Sequence, residues 1–438
     1  MRTSEPSHRK RHGRRLTTLA AAIIGFAALG IGAREAHAGW TCGTIDGFNG
    51  GGFGQISSPV YDVGASVVFN GAVWAFHSDA LGYQRAATNT FGPWYSSTID
   101  GDHTVPGQSG DFFRDGSAAT VLGGVINVFY IDALSAKGNL RRNYGDAVGF
   151  HPSAITDATH GQEGTPLTGR PASVAFGGKL YVFYTEGADD IPGHPSGRLW
   201  MGKLDGTTWT FHVLDGGGGV NGQVTGGSMS SPAVIVDTIS NLMRVYYGYD
   251  NGTHSVLREA YSGDGASWGM STLDGNSLAG GRTTHTVASP SVAFSPTSGT
   301  RVFYDDNWAN TLRVATLKPG INWSFGVVDG AATTHGLVST SVGGGSAAFF
   351  DATDQPNVFY EDNTTHALRM AWWNGSFWSA WVLDGGLGSH VCAGATTQSL
   401  SYGGYSAVVN PVDHTRHVFY ATYGTGGSVL ARHAVLTP

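Results

Sequence analysis

Four arginines recur at one place in a repeating pattern: Arg141, Arg258, Arg313 and Arg369, each directly after a leucine. Three follow a carboxylate closely, with Asp132 before Arg141, Asp306 before Arg313 and Asp362 before Arg369. A guanidinium is a planar fork of donors and a carboxylate is an acceptor. Paired across a hairpin, they can grip a polyhydroxylated ligand. A structural cross-strand ion pair beside a turn aspartate gives the same pattern, so both readings stand. Aromatics outside the repeating columns favour the first. Trp308 sits in a polar turn, DDNWAN; Trp372, Trp373 and Trp381 crowd one repeat; Trp200 replaces the arginine in another. An exposed indole can stack on the apolar face of a sugar ring.

Other chemistry is thinly represented. His103, His160, His285, His335 and His390 follow recurring Asp-Gly turns and could line a rim. No H-x-x-x-H pair or carboxylate-rich calcium loop accompanies them, so no metal site and no cofactor are expected. Glu163, Glu186, Glu259 and Glu361 could each join an aspartate in glycoside hydrolysis, but no spacing selects a pair. The segment Ser262–Trp268 (SGDGASW) faintly resembles the structural aspartate-box turn of sialidases, one residue short. There is no G-x-S-x-G elbow or P-loop.

The elements that must carry these residues repeat. A (Val/Ile/Leu)-Asp-Gly turn places Asp46, Asp100, Asp215, Asp274, Asp329 and Asp384 about 55 residues apart, with Asp157 as a degenerate copy lacking the glycine. Each repeat reads as four short strands between Gly/Asn/Asp/Ser turns. The first is small and apolar. The second is a V-F-Y strand starting at Val73, Val128, Val182, Val245, Val302, Val358 and Val418, which sets seven units. The third starts at Leu81, Leu140, Leu199, Leu257, Leu312, Leu368 and Leu430, giving Gly82 and Ala431 in the arginine column of the outer repeats. The fourth begins six residues before its aspartate at Trp94, Trp209, Trp268, Trp323 and Trp378. These tryptophans are expected to pack blade against blade.

Trp40 also stands six residues before Asp46, so Trp40–Asp46 matches a fourth strand with nothing upstream of it. The last repeat has no fourth strand after Leu430. Complementary ends predict a closed ring: an all-β, seven-bladed β-propeller of four-stranded blades, the N-terminal strand completing the last blade. Units this small need neighbours on both sides to hold a core. The two cysteines, Cys42 and Cys392, then fall close to one another and suggest a disulfide across the closure.

Residues 1–38 carry a basic start (Arg9, Lys10, Arg11, Arg14, Arg15), an apolar stretch Leu16–Ala33 and an Ala36-His37-Ala38 box, the pattern of a secretory signal peptide. Residues 39–438 are expected to form one domain, outside the cell and with no stable membrane span after processing. With 67 glycines in 438 residues and 13% charged residues, the chain is too glycine-rich to be helical. A net charge of −7 and no basic stripe argue against a nucleic-acid partner. Asn251, Asn322, Asn363 and Asn374 head N-x-[ST] sequons.

The pattern V-F-Y-x-D, L-R-x-A, W-x-G-x-x-W, L-D-G is fullest in Val358–Gly385 (VFYEDNTTHALRMAWWNGSFWSAWVLDG). It resembles the repeats of secreted propeller lectins, both the fucose-binding fungal-fruit-body type and the seven-bladed bacterial type related to Photorhabdus lectins. The resemblance implies sugars held between adjacent blades by arginine, carboxylate and tryptophan. Arg313, Arg369, Asp306, Asp362, Trp308 and Trp373 are the matching positions. The expectation is a glycan- or polysaccharide-binding lectin with repeated, weak sites. The alternatives are a polysaccharide hydrolase or lyase with one axial site, and a scaffold for a non-sugar partner.

Overall fold

The computed structural model describes residues 39–438 apart from 48–53, 56–58, 91–92, 103–112, 133–137, 147–148, 157–166, 188–196, 219–221, 226, 253–254, 276–289, 387–388, 401–403 and 425–427. The signal-peptide expectation, and those for Asp157, Glu163, His103, His160 and His285, fall outside the described residues.

The chain opens with β1 (Trp40–Asp46). Blade 1 holds β2 (Val60–Phe69), β3 (Ala72–Asp79), β4 (Gln84–Thr88) and β5 (Tyr95–Asp100). Blade 2 holds β6 (Phe113–Leu122), β7 (Val125–Asp132), β8 (Asn139–Gly145) and β9 (Phe150–Ala154). Blade 3 holds β10 (Leu167–Phe176), β11 (Lys179–Glu186), β12 (Arg198–Asp205) and β13 (Thr208–Asp215). Blade 4 splits its first strand into β14 (Ser228–Met229) and β15 (Ala233–Asp237), both paired with β16 (Leu242–Asp250), then adds β17 (Ser255–Ser262) and β18 (Gly269–Asp274).

Blade 5 holds β19 (Ser291–Ser295), β20 (Gly299–Asp306), β21 (Thr311–Leu317) and β22 (Ser324–Asp329). Blade 6 holds β23 (Val342–Phe350), β24 (Pro356–Asp362), β25 (Ala367–Trp373) and β26 (Trp378–Asp384). Blade 7 holds β27 (Ser406–Val409), β28 (Arg416–Tyr423) and β29 (Val429–Leu436), with β1 as its fourth strand. Within the blades, the pairings between these strands are all antiparallel. The seven-bladed propeller expected from the repeat is the fold observed.

Closure is made by hydrogen bonds. β1 runs along β29 from Trp40 opposite Leu436 to Asp46 opposite Ala431. Cys42 and Cys392 are disulfide-bonded across 350 residues, as their positions suggested. Cys392 lies in the connection leaving β26, and this connection runs beside β1: Cys42 N–H donates to Ala393 at 2.7 Å, and Ala393 N–H to Trp40 at 2.8 Å. Among the described residues no helix is long and apolar enough to cross a membrane.

The hydrophobic core lies mainly at the seams between blades. In every seam a fourth-strand aromatic stands edge-on to a second-strand aromatic of the preceding blade: Trp94 on Phe419, Phe150 on Phe76, Trp209 on Phe129, Trp268 on Phe183, Trp323 on Tyr246, Trp378 on Phe303 and Trp40 on Phe359. Centroids are 5.6–6.2 Å apart and planes cross at 72–88°. This edge-to-face geometry contributes about 0.5–1.5 kcal/mol per pair beyond area burial. Phe150 fills the column in blade 2. The tryptophan column is blade-to-blade packing.

Candidate functional site

The recurring (Val/Ile/Leu)-Asp-Gly has a geometric cause. Ladder register shifts just before the aspartate, for example between Leu257 and Arg258 opposite β18, so Leu273 bulges into the core and Asp274 turns towards the next blade. The following glycine takes a left-handed φ, 96° at Gly275 and 97° at Gly330. A Cβ on Gly330 would lie 2.7 Å from the Asn310 carbonyl oxygen. One aspartate oxygen accepts that glycine's N–H; the other faces the neighbouring blade.

There the other oxygen meets two groups of the next blade. Asp215 Oδ2 accepts from Tyr247 Oη at 2.5 Å and from Arg258 Nε at 2.8 Å. Asp100 does the same with Tyr130 (2.7 Å) and Arg141 (2.8 Å). Asp329 takes Tyr360 (2.5 Å) and Arg369 (3.2 Å). Asp274 takes Tyr304 and pairs with Arg313 at 3.5 Å. Asp384 takes Tyr420 and Arg432. All these aspartates are at most 1% exposed. Burial first, then the adjacent carboxylate, drives Tyr247, Tyr130, Tyr304, Tyr360 and Tyr420 well above the ordinary phenol range. Burial opposes the charge of Arg258, but Tyr247 and Asp215 outweigh it and raise its pKa.

In Arg258 and Arg369 the rest of the guanidinium is also engaged. Arg258 Nη1 donates to Thr272 at 3.0 Å and Nη2 to the Gly222 carbonyl at 2.7 Å. Arg369 Nη2 reaches the Gly336 carbonyl, and Nη1 lies 3.7 Å from Asp362. Arg141, Arg258, Arg313 and Arg369 are thus buried seam residues. Asp306 and Asp362 cap their hairpins, accepting from Trp308 and Ala309 and from Thr364 and Thr365. Asp132 is buried at the matching end of β7. Trp308 is exposed in the hairpin before β21, whereas Trp373 lies at the far end of β25, half-buried against Trp378. The fold puts these two indoles at opposite ends of their blades.

Two column assignments change. Arg85 and Arg432, not Gly82 and Ala431, complete the arginine column, since Gln84 and Ala431 stand opposite Asp100 and Asp46. Leu81 is in an exposed turn. The second strand of blade 1 registers from Ala75 rather than Val73, so His77 takes the tyrosine position; His77 and Arg85 meet Asp46 at 2.9 and 2.8 Å. The seam between blades 2 and 3 is built differently. Trp200 stacks on Tyr184 at 6.4 Å and donates to Glu186 at 2.9 Å. Degeneracy at Asp157 thus coincides with loss of the arginine that would have met it.

Two places remain where chemistry gathers outside the seams. One is a groove of about 1030 Å³ at the outer edge of blades 3 and 4. Met201, Lys203 and His212 form one wall; Trp268, Met270 and the turn from Ser262 form the other, with Tyr261 at the rim. The turn is held open by Asp264, which accepts from Ala266 and Ser267 N–H at 2.8 Å; those bonds bring its pKa down to about 2. Trp268 Nε1 is buried without a hydrogen-bond partner among the described residues.

The other place is the axis. The innermost strands surround a channel of about 270 Å³ lined by small residues such as Ser66, Ser117, Ser173, Ser291 and Ser406. At the end where the first strands begin, unlike residues from several blades converge. Arg170 of blade 3 donates to Asp62 of blade 1 at 3.2 Å. Glu361 of blade 6 meets His366 Nδ1 at 2.7 Å and the Tyr405 hydroxyl of blade 7 at 3.3 Å. Asp305 of blade 5 accepts from Gly344 and Gly345 N–H. Burial pushes its pKa up to about 7 against those two hydrogen bonds. Position 305 corresponds to Ser78, Ile131, Thr185, Gly248, Glu361 and Ala421 in the other blades, so the repeat pattern does not announce this cluster. Among the described residues no group of three or more His, Cys, Asp or Glu side chains could hold a metal ion.

No protein-family model and no curated protein matches this sequence. Solved structures do resemble it in fold. Polysaccharide lyase Uly1 superposes with a TM-score of 0.50 at 12% identity over 92% of this chain and 97% of that one. The six-bladed fungal lectin of Aleuria aurantia gives 0.43 at 17% identity, over 78% and 97%. Hadza microbial sialidase Hz136 gives 0.49 at 12% identity over 74% of this chain, which spans 65% of the sialidase's length. At these identities the likeness is one of fold alone.

Proposed function

We propose that this chain is an exported carbohydrate-binding propeller that takes its glycan in the groove between blades 3 and 4. One observation carries the reading. The groove is at the upper end of the ~300–1,000 Å³ range of ligand sites. It combines indole and phenol surface with Lys203, His212 and Gln223 as polar groups. Sugar rings require that combination: an aromatic face for the apolar side of the ring and polar groups around its hydroxyls. The groove lies between adjacent blades, where the lectin-like repeat implies sugars. Export is supported by the leader pattern in residues 1–38 and by the Cys42–Cys392 disulfide, which suits an oxidising compartment.

The test is a printed array of neutral and acidic glycans probed with the full mature protein and with Tyr261→Ala. Binding to a defined glycan class, competed by the free sugar and weakened in the variant, is the expected result. No binding anywhere on the array would remove the carbohydrate reading.

A further inference from the structure

One arginine differs from the seam arginines. Arg170 leaves β10 near the axis and crosses the channel mouth, with its side chain 30% exposed. Its guanidinium lies over Gly404 of blade 7: a Cβ there would stand 2.3 Å from Nη1. Its Nε passes Gly116 of blade 2, where a Cβ would stand 2.7 Å away. Both glycines leave room that any side chain would fill. Arg258 uses Nε, Nη1 and Nη2 together; Arg170 has one side-chain hydrogen bond, from Nη2 to Asp62 at 3.2 Å. Among the described residues its Nε and Nη1 donate to nothing.

The surroundings also hold unused polar capacity. Ser117 is 4% exposed, lines the channel, and its hydroxyl has no partner among the described residues. Asp305 Oδ1 is likewise buried without one. Tyr405 follows Gly404, and its hydroxyl feels the charges of Glu361, Arg170 and Asp305 together, so these groups share one locale. A partly exposed guanidinium with spare donors matches the geometry of a planar carboxylate.

We propose that the axial mouth is a single-copy site for a carboxylated sugar, a uronate or other sugar acid, whose carboxylate Arg170 binds with the donors Asp62 leaves unused. This rests on the carbohydrate reading but names a different place and a different ligand chemistry from the groove. Asp62 holds the guanidinium across the mouth in the empty site and competes for it in the filled one.

The experiment is calorimetric titration of the full mature protein with trimers of galacturonate, glucuronate and mannuronate, each beside its methyl ester, which keeps the backbone and removes the charge. At least one acid should bind about tenfold or more tightly than its ester. Arg170→Gln should reduce acid binding by about tenfold or more and leave ester binding unchanged. Asp62→Asn, which keeps the guanidinium and removes its competitor, should tighten acid binding severalfold. Lys203→Ala, in the groove, should not alter it. Equal binding of acids and esters, or acid binding that survives Arg170→Gln, would overturn the proposal. So would loss of acid binding in Lys203→Ala. If Arg170→Gln does not fold, Asp62→Asn decides, and unchanged or weakened acid binding there overturns the proposal. Absence of binding to every acid overturns it as well, while glycan binding on the array would leave the groove reading intact.

Discussion

Arg258 Nε lies 2.8 Å from Asp215 Oδ2, across the seam between blades 3 and 4, with both side chains almost fully buried. The pair is one of a set of near-copies around the ring. Each joins the last residue of one blade to the third strand of the next, and a tyrosine hydroxyl (a histidine in blade 1) shares the carboxylate. Four strands per blade cannot enclose a core; the clasp and the aromatic contact beside it make neighbouring blades one unit.

Removing Arg258 should therefore destabilise the ring. Arg258→Ala leaves Asp215 buried with Tyr247 as its remaining cross-seam partner, an imbalance of about 3–5 kcal/mol. Tyr247→Phe removes the hydrogen bond donated to Asp215 and the longer one accepted from Arg258 Nε, leaves the ion pair in place, and should lose about 1.5–3 kcal/mol. Urea denaturation of the two variants checks the order. Equal effects, or none, would show the seam is held by the aromatic contact alone.

The disulfide closes a loop spanning 350 residues. The chain-entropy model gives such a bridge on the order of 5 kcal/mol. Cys42→Ser/Cys392→Ser should lower the melting temperature clearly while keeping the β-sheet spectrum, because the β1–β29 ladder and the Asp46 clasp still close the ring. Limited proteolysis should then cut first near Trp40–Asp46.

A buried histidine pair predicts acid sensitivity. His417 Nδ1 and His433 Nε2 are 2.8 Å apart, stacked with Phe419 beside Trp94. Burial lowers His417 to about 4, opposed by Asp413, and takes His433 well below its ordinary value. Both folded values lie below the unfolded one near 6.5, so the folded state resists protonation. Stability is full above about pH 6.5 and falls as pH drops towards 4, by on the order of 3 kcal/mol for His417. Melting curves from pH 7 to 4 measure this, and His417→Gln/His433→Gln should flatten the slope.

Asp305 predicts the opposite slope at higher pH. Its folded pKa, about 7, is above the ordinary aspartate value of 3.8. The stability linked to its protonated form is present below about pH 4 and lost as pH rises through 7. Asp305→Asn keeps an oxygen for Gly344 and Gly345 and removes the charge. At pH 8 the variant should melt higher than the wild type, and the gap should narrow as pH falls, closing near pH 4.

Much of the ring was legible because repetition amplifies weak signals. Seven second strands, six intact Asp-Gly turns and Trp40 at its proper distance from Asp46 all pointed to one closed propeller, and Cys42 and Cys392 fitted it. The arginine column was visible too, but its partner was not. Asp132, Asp306 and Asp362 are nearer in sequence, whereas the aspartate that Arg258 meets is 43 residues back, at Asp215, across a seam. Arg85 was missed because Leu81 lies in a turn, although Arg85 precedes Asp100 by 15 residues as Arg369 precedes Asp384. The axial cluster could not be read from any column. Asp305 and Glu361 share one repeat position that carries no acid in the other blades, Arg170, Asp62 and Tyr405 stand at others, and only ring closure brings them together.

The central claim is that a glycan occupies the groove between blades 3 and 4. Its most direct measurement is the affinity of the best glycan from the array for the wild type and for Lys203→Ala/His212→Ala, by calorimetry at neutral pH. These side chains line the groove and take no part in a seam clasp. The account predicts a folded double variant with affinity reduced about tenfold or more. A folded double variant that binds as tightly as the wild type would contradict it.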